Sequence, residues 1–177
     1  MRFSTDAIIT ATNKAARSAI NKTLRKARTA SSRQVRQTYM ITASMLNRYS
    51  RITPATNDRL EGTFQIRSKR LSLITFGARQ KRSWPGATIK IRRKEARKLI
   101  RHAFIQQASN ATHVWMRQGK RRYPLRLLRT LSPTQMFRAE GQAVFEDVAA
   151  KEMPGAFEHE LMFFTRGIRT TFAGPSR

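Results

Sequence analysis

Apolar residues in the first part of the chain recur with the spacing of an α-helix. Residues 5–39 contain no Pro or Gly, and Ser4 or Thr5 can cap the first turn. One side, at spacings of three, four and seven, carries Ile9, Ala16, Ile20, Leu24 (or Thr23) and Ala27. This pattern predicts a long N-terminal helix with a small, alanine-rich face. A second, shorter helix is predicted at 42–49, where Thr42 can cap ASMLNRY.

The apolar period changes from helical to alternating after Pro54. Residues 60–67 alternate apolar with polar positions, and LSLITF at 71–76 and ATIKI at 87–91 have the same character. These segments predict strands of one sheet. The ten residues between the last two, GARQKRSWPG, predict a loop that is long enough to project from that sheet.

Two further apolar runs, HAFIQQ at 102–107 and HVWMRQ at 113–118, flank the polar insert ASNAT. They predict an antiparallel hairpin with Phe104, Val114 and Met116 among its core residues. His113 and Trp115 are two positions apart, which predicts that they share one face of the second strand.

After Pro133 the helical period returns, with an apolar stripe formed by Met136, Phe137, Val144, Phe145, Val148 and Ala149. Pro154 and Gly155 predict an interruption, and AFEHELMFF predicts a last helical piece before a frayed tail. The predicted fold class is therefore α+β, with a long N-terminal helix, a small antiparallel sheet and a C-terminal helix. One domain is predicted over residues 1–177, with a helical part at 5–50, a basic β part at 58–130, C-terminal helices at 133–166 and a tail at 167–177.

Charge is distributed very unevenly along the chain. The 177 residues carry 36 lysines and arginines against 10 acidic residues, a formal charge of +26. Residues 1–130 hold 31 of those cations and four acidic residues, whereas residues 131–177 hold five cations and six acidic residues. The first three quarters are thus expected to face a polyanion or an acidic protein. The nearly neutral last quarter is expected to serve in packing or subunit contact.

The residues that would support chemistry are scarce. Cysteine is absent, which excludes disulfides, thiolate metal sites and a cysteine nucleophile. The three histidines lie at no spacing typical of a metal site, and no glycine-rich phosphate-binding loop is present. No apolar run approaches the ~20 residues of a membrane span. The sequence predicts a protein that is not an enzyme, needs no cofactor or metal and enters no membrane.

Trp84 and Trp115 lie next to basic residues, where an indole can stack on a base or against an arginine. A structural role at the rim or in the core is the other interpretation. Charge alone leaves nucleic acid and an acidic protein as equal alternatives, because either satisfies lysine and arginine.

The hairpin region carries a family resemblance. AFIQQ at 103–107, HVWMR at 113–117, GKRR at 119–122 and YPL at 123–125 resemble the phage minor tail protein Z family, the tail-completion or neck proteins of long-tailed phages. The order of parts is also similar over residues 5–165, from the basic alanine-rich helix through LITFGARQ to FEHEL. Two departures are Arg101-His102, where the family commonly has Pro-Gly, and TLSP after the hairpin.

The resemblance implies a single tail-completion domain in a structural virion protein. Such a protein sits in the neck, completes the tail and enables head-tail joining, after assembly in the host cytoplasm. The implied partners are further copies in a ring, expected to be a hexamer, the tail terminator and head-tail connector proteins, and phage DNA or the end of the tape-measure protein.

Within that ring, the basic segments are expected to contact DNA or an acidic neighbouring ring. The candidate residues are Arg79, Lys81, Arg82, Arg92, Arg93, Lys94, Arg97, Lys98, Arg121 and Arg122. The candidate subunit interface, on the C-terminal helices, consists of Phe145, Val148, Phe157, Leu161 and Phe164. The alternative interpretation is a small, sequence-nonspecific nucleic-acid-binding protein of ribosomal or nucleoid type.

Overall fold

The N-terminal pattern correctly predicts two helices. The computed structural model describes residues 5–108 and 111–170. Helix α1 spans Thr5–Thr38, and helix α2 spans Ala43–Tyr49. The Thr42 hydroxyl caps α2 by accepting a hydrogen bond from the backbone N–H of Met45 at 3.3 Å. The proposed cap at Ser4 and most of the proposed frayed tail lie outside the described residues.

The buried face of α1 differs from the predicted one. Its most buried positions occur at every fourth residue, namely Ala11, Ala15, Ala19, Thr23, Ala27, Ser31 and Val35. Leu24 and Ala27 of the predicted face are buried, but Ile9 is 52% exposed. Rows of residues at i and i+4 form one of the natural ridges of a helix. The packing of α1 follows this row of small side chains rather than the larger isoleucines, because small residues allow a closer approach.

The chain forms two compact units. One comprises the described residues within Met1–Ser31, Arg51–Gln65 and Gln142–Arg177, and is called here the helical unit. The other comprises Ser32–Ser50 and Ile66–Gly141, and is called the β unit. Helix α1 contributes its first part to the helical unit and its last turns to the β unit.

In the helical unit, α1 and the C-terminal helix α4, Gln142–Thr170, are joined by two ion pairs. Lys22 pairs with Glu160, and Lys26 pairs with Glu152 at 2.7 Å. A Cβ atom on Gly62 would lie 2.3 Å from the Leu24 side chain, so the backbone there approaches α1 closely. Small side chains and a glycine therefore set the spacing of this unit.

Helix α4 runs without interruption through Pro154, so the predicted break at Pro154-Gly155 is wrong, as is the predicted helix end at 166. A proline inside a helix removes one backbone hydrogen bond and crowds the preceding turn. The two ion pairs to α1 use Glu152 and Glu160, on either side of Pro154, and thus tie both halves of α4 to the same partner.

Before α4 the chain forms helix α3, Pro133–Met136, and one π-helical turn, Phe137–Gly141. Ser132 and Gln135 form a capping box at the start of α3. In the π turn, a Cβ atom on Gly141 would lie 2.7 Å from the Phe137 ring and 3.0 Å from Val35. Glycine thus allows the turn to lie against α1 within the β unit.

The strands form three small sheets rather than the one sheet predicted. Strand β1, Ser50–Thr53, pairs with β2, Thr63–Ile66. Strand β3, Gly86–Ile89, pairs antiparallel with β4, Lys98–Arg101. The third sheet contains β5, Ala103–Ala108, β6, Ala111–Arg117, and β7, Leu125–Leu127, in that order and antiparallel. The helices at both ends and these antiparallel sheets confirm the α+β fold class.

The segment LSLITF is not a strand, contrary to prediction. Leu73–Phe76 form a 3₁₀ turn that ends at Gly77, whose φ of 63° suits glycine. Leu71, Leu73 and Phe76 are all buried, and Leu71 and Phe76 pack in one apolar cluster while Leu73 packs in another. The alternating pattern predicted that the apolar side chains share one buried face, but they pack into two separate apolar clusters.

The predicted hairpin is confirmed as β5 and β6. Phe104 lies opposite Trp115, and Ile105 lies opposite Val114. Val114 is fully buried, as predicted, whereas Phe104 and Met116 are half-buried. The rings of His113 and Trp115 meet edge to face at 5.9 Å, consistent with their predicted common face.

Two apolar clusters form the core of the β unit. The buried members of the first are Val35, Tyr39, Ile41, Leu46, Leu71, Phe76 and Met136. Those of the second are Leu73, Ala87, Ile89, Ala103 and Val114. These clusters anchor the loops and strands that carry the basic residues.

Candidate functional site

The positive charge is concentrated in the β unit. This unit holds 23 lysines and arginines against two acidic residues, a formal charge of +21. The helical unit holds 13 against eight, a formal charge of +5. All ten candidate contact residues lie in the β unit, and all five candidate interface residues lie in the helical unit.

Two of the ten arginines and lysines hold the backbone of the β unit together. The half-buried guanidinium of Arg97 donates to the carbonyl oxygen of Gly77 and, at 3.1 Å, to that of Thr88. Arg93 donates from Nε to the carbonyl oxygen of Arg36 at 2.6 Å, in the last turn of α1. Carbonyls at a helix C-terminus lack intrahelical donors, and a cation there also complements the helix dipole. Both side chains therefore have a structural task besides their charge.

Three other cations surround Glu95 and the ring of Tyr39. Arg92 lies 5.7 Å from the centre of the Tyr39 ring and 3.9 Å from the Glu95 carboxylate, which Lys98 approaches at 3.4 Å. Lys94 is exposed and lines a cavity of about 480 Å³ with Glu95 and Glu140. Exposed pairs of this kind contribute little to stability. Most of the charge in this segment remains available to a partner.

The loop between the 3₁₀ turn and β3 carries Arg79, Lys81 and Arg82. Arg79 and Thr88 exchange two backbone hydrogen bonds, at 2.8 and 2.7 Å, so the loop is paired with β3 at its start. The Lys81 ammonium lies 5.2 Å from the centre of the Trp84 ring. The side chains of Arg79, Lys81 and Arg82 are exposed. The predicted projecting loop is instead hydrogen-bonded to β3 at its start. Residues 77–85 are called here the tied loop.

Beside this loop lies a cavity of about 730 Å³. It is lined by the four cationic residues Arg79, Lys81, Arg82 and Arg97 and by Ala78, Gln80, Trp84 and Ile105. No acidic residue contributes to the described lining. Sequence reasoning assigned the cations here but missed that Trp84 and Ile105 share one cavity with them, since Ile105 belongs to a different sheet.

The last two candidate cations lie between β6 and β7. Arg121 is exposed, and the guanidinium of Arg122 lies 5.7 Å from the centre of the exposed Tyr123 ring. The structure does not place Arg121 and Arg122 in the Trp84 cavity. The ten candidates are thus divided among the tied loop, residues 92–98 around Glu95, and the turn between β6 and β7.

The five predicted interface residues are all half-buried within their own chain. Phe145 stacks on Phe64 with ring centres 5.0 Å apart and planes 12° from parallel. Among the α4 residues whose side chains the structure describes, the exposed large apolar ones are Met162 and Phe163, at 61% and 62%. Sequence reasoning missed both, although they lie in the predicted helical piece AFEHELMFF beside the residues that it selected.

Glu160 is the buried carboxylate of the helical unit. Its hydrogen bond from Lys22 lowers the pKa of Glu160, burial opposes this, and hydrogen bonds involving Ser18 and His159 lower it further. The carboxylate therefore stays ionised at neutral pH, despite an exposed fraction of only 6% for its side chain.

One protein-family model covers most of the chain. The model of the family described as Prophage minor tail protein Z (GPZ) matches residues 7–166. The chain belongs to this family. No curated protein and no solved structure matches it.

Membership in the minor tail protein Z family identifies the chain as a structural protein of the phage tail, and hence of the virion. The match runs from the first turns of α1 into the last part of α4 and includes every candidate residue of both units. Within residues 5–108 and 111–170, no cluster of three His, Cys, Asp or Glu residues is arranged to hold a metal ion. No helix in the same part of the chain has the length and apolarity that crossing a membrane requires.

Proposed function

We propose that this minor tail protein Z completes the tail at its head-proximal end and enables head-tail joining, with the β unit facing DNA or an acidic neighbouring ring. The observation that carries the proposal is the division of charge, +21 in the β unit and +5 in the helical unit. A unit with two acidic residues has few internal counterions, and copies brought together would repel one another. Anionic material at the β unit offsets that repulsion, and release of condensed counterions favours the contact if the partner is DNA.

The helical unit supplies the contact between copies in this proposal. A ring requires a heterologous, head-to-tail interface, and the expected copy number is six. Helix α4 combines low charge with the half-buried residues Phe157, Leu161 and Phe164 and the exposed Met162 and Phe163. A neighbouring copy would cover these apolar side chains. Phe145 is less suited, because it already stacks on Phe64.

The tail terminator and the head-tail connector are the proposed protein neighbours, with phage DNA or the end of the tape-measure protein on the axis. The protein is proposed to assemble from subunits in the host cytoplasm and to act by position and charge, without catalysis. The residues proposed to make contact are the exposed cations Lys81, Arg82, Lys94 and Arg121. Arg93 and Arg97 are proposed to act mainly by holding the surface that displays them.

An in vitro joining assay tests this proposal. Filled heads are mixed with tails assembled without this protein, purified protein is added, and infectious particles are counted. The variant carries Lys81→Gln, Arg82→Gln, Lys94→Gln and Arg121→Gln, four exposed positions that hold no backbone carbonyl in the described chain. We expect a loss of joining of at least about tenfold, since several phosphate or carboxylate contacts disappear together.

A matched control removes the same charge from the helical unit. It carries Lys14→Gln, Arg25→Gln, Arg51→Gln and Arg59→Gln, which are also exposed. Joining by the control should stay close to that of the wild type. Equal loss in both variants, or no loss in the first, would show that charge on the β unit does not direct joining.

A further inference from the structure

We propose that the cavity beside the tied loop binds an unpaired nucleotide of DNA, with its base against Trp84 and its phosphates on Arg79, Lys81 and Arg82. The inference rests on the proposed function, because it specifies one contact that the β unit makes with DNA. It goes beyond that function by assigning a site, a ligand class and a preference for single strands.

The cavity has the dimensions and chemistry of a small-ligand site. Its volume of about 730 Å³ lies in the range of about 300–1,000 Å³ that is usual for such sites. One part of its lining is apolar, from Ala78, Trp84 and Ile105. The other part is cationic and contains no acidic residue among the described lining residues. A ligand with a flat apolar part and an anionic part fits both halves at once.

A nucleotide has this composition, whereas a peptide made of acidic residues alone lacks the flat apolar part. The Lys81 ammonium already lies 5.2 Å from the centre of the Trp84 ring, and carboxylates would satisfy the cations but would add no flat partner for the half-exposed indole. Bases stack on aromatic side chains in single-stranded nucleic-acid sites, beside cationic groups that follow the backbone. A base in a duplex is already stacked on its neighbours, so Trp84 gives an advantage only to an unpaired one.

The cavity is held in place before a ligand arrives. Arg97 ties Gly77 to Thr88, and Arg79 is bonded to Thr88 through the backbone. The side-chain oxygen of Gln80 accepts a hydrogen bond from the backbone N–H of Ile105 at 2.8 Å, which fixes the loop to β5. A site on a fixed loop loses less conformational entropy on binding than a free loop would.

The two tryptophans provide a direct measurement with the full-length protein. Trp115 is half-buried, its indole nitrogen is buried without a hydrogen-bond partner, and it is absent from the lining of this cavity. In Trp115→Phe, the remaining indole fluorescence therefore comes from Trp84. We expect a short oligothymidylate to quench this fluorescence strongly, and a hairpin duplex with the same number of phosphates to quench it weakly.

Binding of the same two DNAs is then measured by fluorescence anisotropy at fixed salt. We expect Trp84→Leu to weaken oligothymidylate binding about tenfold and duplex binding less than about twofold, with Trp84→Phe restoring most of the loss. Neutralising Arg79 and Lys81 should weaken the binding of both DNAs, and the binding of the single strand should weaken more. Neutralising Arg121 and Arg122 as a charge-matched control should weaken both DNAs to the same extent.

The outcomes separate this inference from the function on which it rests. Two results together would show that the nucleotide site is wrong while DNA contact by the β unit stands. Trp84→Leu would change the affinity for both DNAs equally or for neither, and oligothymidylate would not quench the fluorescence of Trp84. If the wild type binds neither DNA, DNA contact itself fails. If a polyglutamate peptide binds and Trp84→Leu abolishes that binding, the cavity serves an acidic protein partner instead.

Discussion

The helical unit and the β unit solve the problem of positive charge in different ways. In the helical unit, Lys22, Lys26, Arg59 and Lys151 each pair with a carboxylate of the same chain. In the β unit the described ion pairs are those of Arg92 and Lys98, which share the single carboxylate of Glu95. The first unit neutralises much of its charge internally, and the second leaves it for another molecule.

The cores beneath these charges differ as well. The helical unit depends on the small-residue row of α1, two helix-joining ion pairs and the close approach of Gly62. The β unit depends on two clusters of larger apolar side chains. Because apolar burial is the dominant favourable term in folding, the clusters let the β unit tolerate the repulsion among its cations. We infer that different residues provide stability and function in the β unit, whereas in the helical unit the same residues serve both.

The largest expected effect comes from removing a core ring of the β unit. Phe76 is fully buried in the first apolar cluster, so Phe76→Ala should lower the free energy of unfolding by about 3–5 kcal/mol. Denaturant unfolding followed by circular dichroism measures the change. Phe163→Ala, at a site that is 62% exposed, is the control and should cost far less. Similar losses at both positions would contradict the assignment of the core.

The next effect tests the small-residue row of α1. Ala19 is fully buried, and Ala19→Leu inserts bulk where α1 is closely packed, which should cost about 1–3 kcal/mol. Ala16→Leu places the same side chain at a half-buried position on the predicted face. Unfolding measurements should show the larger loss for Ala19. The reverse order would restore the face predicted from the sequence.

A third effect concerns the ion pair of Glu160. Glu160→Gln keeps the side-chain shape but removes the charge that Lys22 contacts, and should cost about 1–3 kcal/mol at neutral pH. The folded pKa of Glu160 is lowered from its ordinary value of 4.5, so its contribution is present above that value and is lost as the pH falls through the folded pKa.

Unfolding measured as a function of pH checks this sign. The wild type should lose stability more steeply than Glu160→Gln as the pH falls below 4.5. Glu158→Gln, on the exposed side of α4, is the matched control and should follow the wild type. Parallel curves for the wild type and Glu160→Gln would refute a stabilising role for the ionised carboxylate.

The smallest effect contrasts the cations of the two units. Lys94→Gln should raise the stability of the β unit by up to about 0.5 kcal/mol at low salt, because it relieves repulsion, and the gain should vanish at high salt. Lys22→Gln should instead destabilise the helical unit, since it leaves Glu160 without its main partner. Thermal unfolding at two salt concentrations measures both. Destabilisation by Lys94→Gln would mean that the β unit also needs its exposed charges to fold.

Local signals in the sequence were sufficient for much of this fold. The absence of Pro and Gly up to Thr38 correctly predicts α1, and the cap at Thr42 correctly predicts α2. The two apolar segments around ASNAT correctly predict the β5–β6 hairpin. The failures share one cause, which is contact between residues distant in sequence. Helix α4 continues through Pro154 while both of its halves contact α1, and LSLITF turns because its leucines and Phe76 enter two clusters.

The candidate site shows the same limit. Charge density shows which segments of the sequence are basic, but it does not show which of their cations bond to the chain itself. The carbonyl partners of Arg93 and Arg97 are Arg36, Gly77 and Thr88, and no spacing rule connects such positions. Likewise, the cavity joins Trp84 of the loop before β3 to Ile105 of β5.

The hydrogen bonds of Arg97 limit which substitutions the sequence tolerates at that position. Lys81, Arg82 and Lys94 need only keep a positive charge, so exchanges between lysine and arginine there should be nearly silent. Arg97 donates from Nη2 to the carbonyl oxygens of Gly77 and Thr88 and from Nε to the Thr88 hydroxyl at 3.4 Å, and the single nitrogen of a lysine ammonium cannot reproduce bonds that come from two nitrogens. In a library of viable descendants, we expect the first three positions to mix both residue types freely and position 97 to keep arginine.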